Sequence, residues 1–101
     1  MHIPRRKINK ILATVAENYM LTVEEIRSKS RQHRIVDARA AFIRLMSHEF
    51  DMSPRASVVA LKKRQEMGPY YLELSETLCE YLPWRTSYNE CVYQTAKESD
   101  A

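Results

Sequence analysis

A chain of 101 residues can build one hydrophobic core and is too short for two. Apolar residues make up 45% and charged residues 29%, the balance of a globular protein. A single Gly and four Pro leave little material for hairpin turns, and no apolar run approaches the roughly eighteen residues that span a bilayer.

The basic start, Met1 to Lys10, is not followed by an apolar stretch and cleavage site, so an unexported, cytoplasmic protein is expected. Cys79 and Cys91 are then expected as free thiols in a reducing compartment. The net charge of +3 hides an asymmetry. Met1 to Arg64 carries 14 Lys or Arg against 6 Asp or Glu, a balance of +8, whereas Gln65 to Ala101 carries 2 against 7, a balance of −5. Such a split gives either two faces with different partners or two halves that attract each other.

Taken in order, the chain opens on an extended arm ended by Pro4, with Arg5, Arg6 and Lys7 leading into a first helix. Ile8, Ile11, Leu12, Val15 and Ala16 recur at helical spacing and carry an apolar face to about Tyr19. Thr22 and Glu25 form a capping box, with Leu21 and Ile26 placed as a hydrophobic staple, for a short helix from Val23 to Ser28. A basic loop from Ser28 to Arg34 follows. It holds Lys29, Arg31 and Arg34, and no carboxylate stands between Glu25 and Asp37.

A long helix is expected from Val36 to Phe50, with Ala38, Ala41, Phe42, Leu45 and Met46 on its apolar stripe and Arg39, Arg44, Ser47 and His48 on its other side. Ser53 and Pro54 restart the chain as N-cap and first-turn residue. Val58, Val59 and Leu61 then lead to Lys62, Lys63 and Arg64 in a last turn, where the helix dipole favours cations. Gly68–Pro69 marks a further break, and a fifth helix is expected to run to Pro83 with Glu73, Glu76 and Glu80 on one acidic face. Trp84 is expected to pack on the core or on a partner, and Ser87 and Glu90 to cap a last short helix. The domain is placed at 1–95, with a disordered tail at 96–101.

Several chemistries lack a basis. One glycine cannot build a phosphate-cradling loop. His2, His33 and His48 have no metal-ligand spacing to each other or to the cysteines. No cofactor and no enzymatic activity are expected.

The segment from Ile8 to Arg44 resembles the C-terminal DNA-binding domain of the bacterial replication initiator DnaA. The likeness rests on Val15–Ala16 with Tyr19, the capped Val23 to Ile26, Ser28–Lys29, and Ile35, Val36, Ala38 and Arg39. It covers somewhat over a third of the chain. The resemblance implies a small five- or six-helix, Trp-repressor-like all-α domain with a helix-turn-helix. It also implies a loop that reaches DNA phosphates and the minor groove. Carried over by position, Lys29 and Arg31 are the loop cations, Arg31 the groove-inserting one, and Arg39 matches the family arginine at the start of the long helix.

The family's recognition-helix signature, Gly-Arg-Asp-His-Thr-Thr-Val, is missing. The nearest register is Arg64 to Tyr71, RQEMGPYY, with Glu73, Glu76 and Glu80 riding on the helix that enters the major groove in the family.

Two functions follow as expectations. In the first, the protein grips duplex DNA with weak or altered sequence specificity through Arg5, Arg6, Lys29, Arg31, Arg34 and Arg39, aided by Lys62, Lys63 and Arg64. In the second, it is a protein-interaction module using Glu73, Glu76 and Glu80 with Trp84 and Tyr88, self-association through those two aromatics being a variant.

Overall fold

The computed structural model describes residues 3–99. Six α-helices are formed among them, and no strand: α1 (Arg5–Asn18), α2 (Val23–Arg27), α3 (His33–Glu49), α4 (Pro54–Ser57), α5 (Met67–Leu78) and α6 (Leu82–Ser99), with a 3-10 turn (Val58–Leu61) continuing α4. The fold is all-α, as the scarcity of turn residues implies.

The hub is α3, which packs against each of the other five helices. Its middle is sealed on nearly every side: Ala38, Ala40, Ala41, Phe42, Ile43, Leu45 and Met46 are all fully buried. A helix apolar all round belongs in a core, and the three alanines let neighbouring helices approach its backbone. Ile11, Leu12, Val15 and Ala16 bury the predicted face of α1, which packs against α2, α3 and α6. The arm's Ile3 joins this core, while Met1 and His2 lie outside the described residues.

Local signals explain most helix ends. The Thr22 hydroxyl accepts from the Glu25 N–H at 3.1 Å, and the Glu25 carboxylate accepts from the Thr22 N–H at 2.9 Å, completing the predicted capping box. α1 closes with Met20 in the left-handed region (φ 58°) and the Leu21 N–H donating back to Ala16 O at 2.8 Å. Ser53 caps α4 through its hydroxyl, which accepts from the Ala56 N–H at 3.2 Å.

Four boundaries differ from the expected ones. α3 begins one turn early, at His33, so the loop is shortened to residues 28–32. α4 tightens to a 3-10 turn that ends with Lys62 in the left-handed region (φ 62°), so Lys62, Lys63 and Arg64 lie beyond the last helical turn rather than in it. Gly68 and Pro69 fall inside the first turn of α5, where a proline costs no hydrogen bond. The glycine has a steric role instead. A Cβ there would lie 2.3 Å from Pro54 O, so α5 crosses α4 at backbone contact. Finally, α5 stops at Leu78 and Pro83 opens α6, which is continuous to Ser99 and absorbs both the expected cap at Ser87 and most of the expected tail. Asp100 and Ala101 lie outside the described residues.

α6 is fastened by aromatics rather than by an aliphatic stripe. The Trp84 Nε1–H donates to Asp37 O at 2.9 Å, and the Tyr19 hydroxyl donates to Trp84 O at 3.0 Å. Trp84 stacks on Tyr88 at 5.3 Å with the rings 3° from parallel. Both rings are buried, at 3% and 7% exposure.

Candidate nucleic-acid interface

The basic loop is held from beneath by two buried or half-buried cations. Arg39, 2% exposed, donates from Nε to Ile26 O at 2.8 Å, from one terminal nitrogen to Ser30 O at 2.8 Å and from the other to Ser28 O at 2.6 Å. These carbonyls lie at the end of α2 and in the loop, where the backbone has no helical partner to offer. Lys63 reaches the same strand of backbone, donating to Ser28 O and to Arg27 O. A positive group at a helix C-terminus also meets the negative end of its dipole.

This corrects two expectations. Arg39 is enclosed and has its guanidinium committed to three carbonyls, so it is not a surface contact for a phosphate. Lys63 is likewise engaged by the backbone. The signal for Arg39 was present in the sequence: Ile35, Arg39, Phe42 and Met46 follow spacings of four, three and four, which puts the arginine on the buried stripe of α3 rather than on its other side. Its partners are carbonyls supplied by the chain's folding back, which no periodicity displays.

Arg34, in the first turn of α3, forms an exposed ion pair with Glu25 at 3.3 Å. Lys29 and Arg31 stay exposed on the braced loop. Positive charge accumulates there faster than counter-charge. Burial and the nearby Arg39 and Lys29 together push the Lys63 ammonium below its ordinary pKa.

The band continues beyond the loop. Arg5, Asn9, Arg27 and Lys62 line a groove of about 1040 Å³ between the start of α1 and the 3-10 turn, with Ile3 and Ile8 among its apolar lining. Arg27 ties the groove together, donating to Ala60 O at 2.9 Å and to Asn9 Oδ1 at 3.2 Å. Arg5 and Lys62 are thus brought to one groove, and Lys62 adjoins the residue that grips the loop. Arg6 and Arg64 are exposed but do not line this groove.

The acidic side is also exposed. Glu73 and Glu76 stand on α5 and Glu80 in the turn after it, close to Tyr81 and Leu82, each 60% exposed. Trp84 and Tyr88 are not part of any such surface. They are core residues, a correction to the interaction surface expected of them. Over Tyr88 lies the Arg44 guanidinium, 5.7 Å from the ring centroid, while the Tyr88 hydroxyl itself is buried with no hydrogen-bond partner among the described residues. Burial raises the pKa of this phenol, Arg44 drawing it partly back.

Cys79 and Cys91 are free thiols, half-buried and buried. Among the described residues no group of His, Cys, Asp and Glu is placed to hold a metal ion, and no helix is long and apolar enough to cross a membrane. No protein-family model, curated protein or solved structure matches the chain.

Proposed function

We propose that the chain binds DNA through its sugar–phosphate backbone, with Lys29 and Arg31 of the braced loop as the principal contacts. Arg5, Arg6, Lys62 and Arg64 extend the contact. One observation carries this proposal: Arg39 and Lys63 fix the loop by its carbonyls, so Lys29 and Arg31 project from an ordered backbone with no carboxylate among the described residues committed to either. A cation array ordered in advance loses little entropy when it meets a row of phosphates.

The resemblance to the initiator domain supports the same assignment and points to Arg31 as the residue that enters a minor groove. Sequence discrimination is weak in this proposal. The helix in the position of a recognition helix, α5, offers Glu73 and Glu76 outward, and carboxylates there repel phosphates and favour only a cytosine amino group among base contacts.

The test is duplex binding as a function of salt. Six exposed cations engaging phosphates give a slope of log K against log salt of about −5, at about −0.9 per phosphate neutralised. Arg31→Ala reduces both the affinity and the steepness. The proposal is refuted if duplex binding is undetectable at low salt, or if Arg31→Ala changes neither quantity.

A protein partner on the acidic side is the second reading, favoured by the exposed Tyr81 and Leu82 that directly follow Glu80, with Glu73 and Glu76 exposed on α5. The two readings separate on the triple variant Glu73→Lys, Glu76→Lys, Glu80→Lys. Where α5 faces DNA, removing three repelling carboxylates strengthens duplex binding. Where the face serves only a protein, that partner is lost and duplex affinity does not depend on where on the surface the three lysines are added.

A further inference from the structure

A second groove, of about 590 Å³, lies between the basic loop, the start of α3 and α5. Arg31 and His33 contribute to it from the loop side and Tyr70 from α5, with Val36, Met67 and Leu74 as apolar lining. Tyr70 is 52% exposed, yet its ring is propped edge-on against the buried Tyr71, centroids 5.3 Å apart and planes at 64°. A tyrosine so held offers a flat π-surface that has already lost much of its rotamer freedom. Asp37 also lines the groove; its carboxylate makes no hydrogen bond among the described residues, and its one favourable charge neighbour is the exposed His33 one turn before it, which lines the same groove.

These features form one set: a lining cation, an exposed aromatic face, apolar walls and a carboxylate with no hydrogen bond among the described residues. We infer that the groove receives an unstacked nucleobase of a single DNA strand whose phosphates lie on Lys29 and Arg31, with Asp37 selecting guanine. The inference rests on the phosphate-gripping loop proposed above and names what that loop presents to the rest of the site.

Stacking on an aromatic ring suits any base, because every base has a π-face. Selection comes from the carboxylate. Guanine places its N1–H and N2–H donors side by side, matching the two oxygens of Asp37. Thymine offers a single N3–H between two carbonyls that a carboxylate repels. The acidic outer turns of α5 favour a single strand over a duplex at this groove. A second strand laid across α5 brings its phosphates to Glu73 and Glu76, whereas a single strand keeps its phosphates on the loop and turns only a base inward.

Fluorescence anisotropy with four labelled probes tests this: a thymine tract, the same tract with one central guanine, an abasic strand of equal length, and a duplex. The expected order is guanine-bearing tract tightest, then thymine tract, with the abasic strand about tenfold weaker than the thymine tract from lost stacking. Tyr70→Ala removes the advantage of base-bearing over abasic strands and leaves duplex affinity unchanged, while Tyr70→Phe keeps it. Asp37→Ala abolishes the guanine preference alone. Trp84 fluorescence confirms the fold of that variant, because its indole N–H donates to the main-chain oxygen of Asp37. Equal binding of abasic and base-bearing strands, or a stacking advantage that survives Tyr70→Ala, overturns the base site; a guanine preference that survives Asp37→Ala overturns its selection by the carboxylate. The loop proposal survives those results if Arg31→Ala still weakens every probe, and it falls separately if no probe binds.

Discussion

Replacing Arg39 by Met keeps an apolar stem of similar length in the core and removes the three hydrogen bonds to Ile26, Ser28 and Ser30. Hydrogen bonds to a charged group contribute about 1.5–3 kcal/mol each, so three set an upper limit of about 4.5–9 kcal/mol. Two effects reduce it. Burying a guanidinium costs several kcal/mol that methionine does not incur, and of the three orphaned carbonyls those of the half-buried Ser28 and Ser30 can be met by water, while that of the fully buried Ile26 cannot. A net loss of about 3 kcal/mol is expected. For a domain of this size that lowers Tm by about 12–24 °C.

Urea unfolding followed by circular dichroism measures the loss, and hydrogen exchange locates it in the amides from Ser28 to Gln32. The variant also separates bracing from contact. Arg39→Met weakens DNA binding by freeing the loop but leaves the salt slope unchanged, because no phosphate-contacting cation is lost, whereas Arg31→Ala changes the slope itself. A loss below about 1 kcal/mol with unchanged loop exchange refutes the reasoning that Arg39 holds the loop.

Three further outcomes are expected. Gly68→Ala pushes a methyl group against Pro54 O and forces α4 and α5 apart, a destabilisation of about 1–3 kcal/mol measurable by urea unfolding. Tyr88→Phe removes a buried hydroxyl that has no hydrogen-bond partner among the described residues while keeping the ring stacked on Trp84 and under Arg44, so thermal unfolding shows stability unchanged or raised by up to about 1 kcal/mol. Stability falls above about pH 9. Burial pushes the Cys91 thiol from 9.0 up to about 12, and burial likewise raises Tyr19 and Tyr88, so the unfolded chain releases these protons first and alkali favours it. The stabilisation is full below pH 9 and is lost as pH climbs toward 12; pH-dependent unfolding of Cys91→Ala, in which the decline starts only where the tyrosines titrate, checks the assignment.

What could be foreseen from the residues depended on how local its cause was. The capping box at Thr22 and Glu25, the Ser53 cap and the apolar face of α1 each need only a few neighbours in the chain, and all three stand where their spacing puts them. Proline and glycine misled because their local meaning is double: Pro83 ends one helix or opens another, and Gly68 marks a break or a close crossing. The outcome at both positions is set by tertiary packing, through Trp84 reaching Asp37 O and through α4 lying against α5.

Cations posed the same problem for function. Nine were assigned to a phosphate surface on sequence grounds; Arg39 and Lys63 serve loop carbonyls and Arg34 pairs with Glu25, leaving six. Counting positive charge therefore overstates the surface available to the proposed contact while missing the source of its order. The committed cations are what hold the free ones in place. In this protein the backbone that carries Lys29 and Arg31 is held by two other cations, Arg39 and Lys63, together with the Ser28 and Ser30 hydroxyls. Neutralising a buried cation and neutralising an exposed one should therefore both weaken DNA binding, and the salt slope tells them apart.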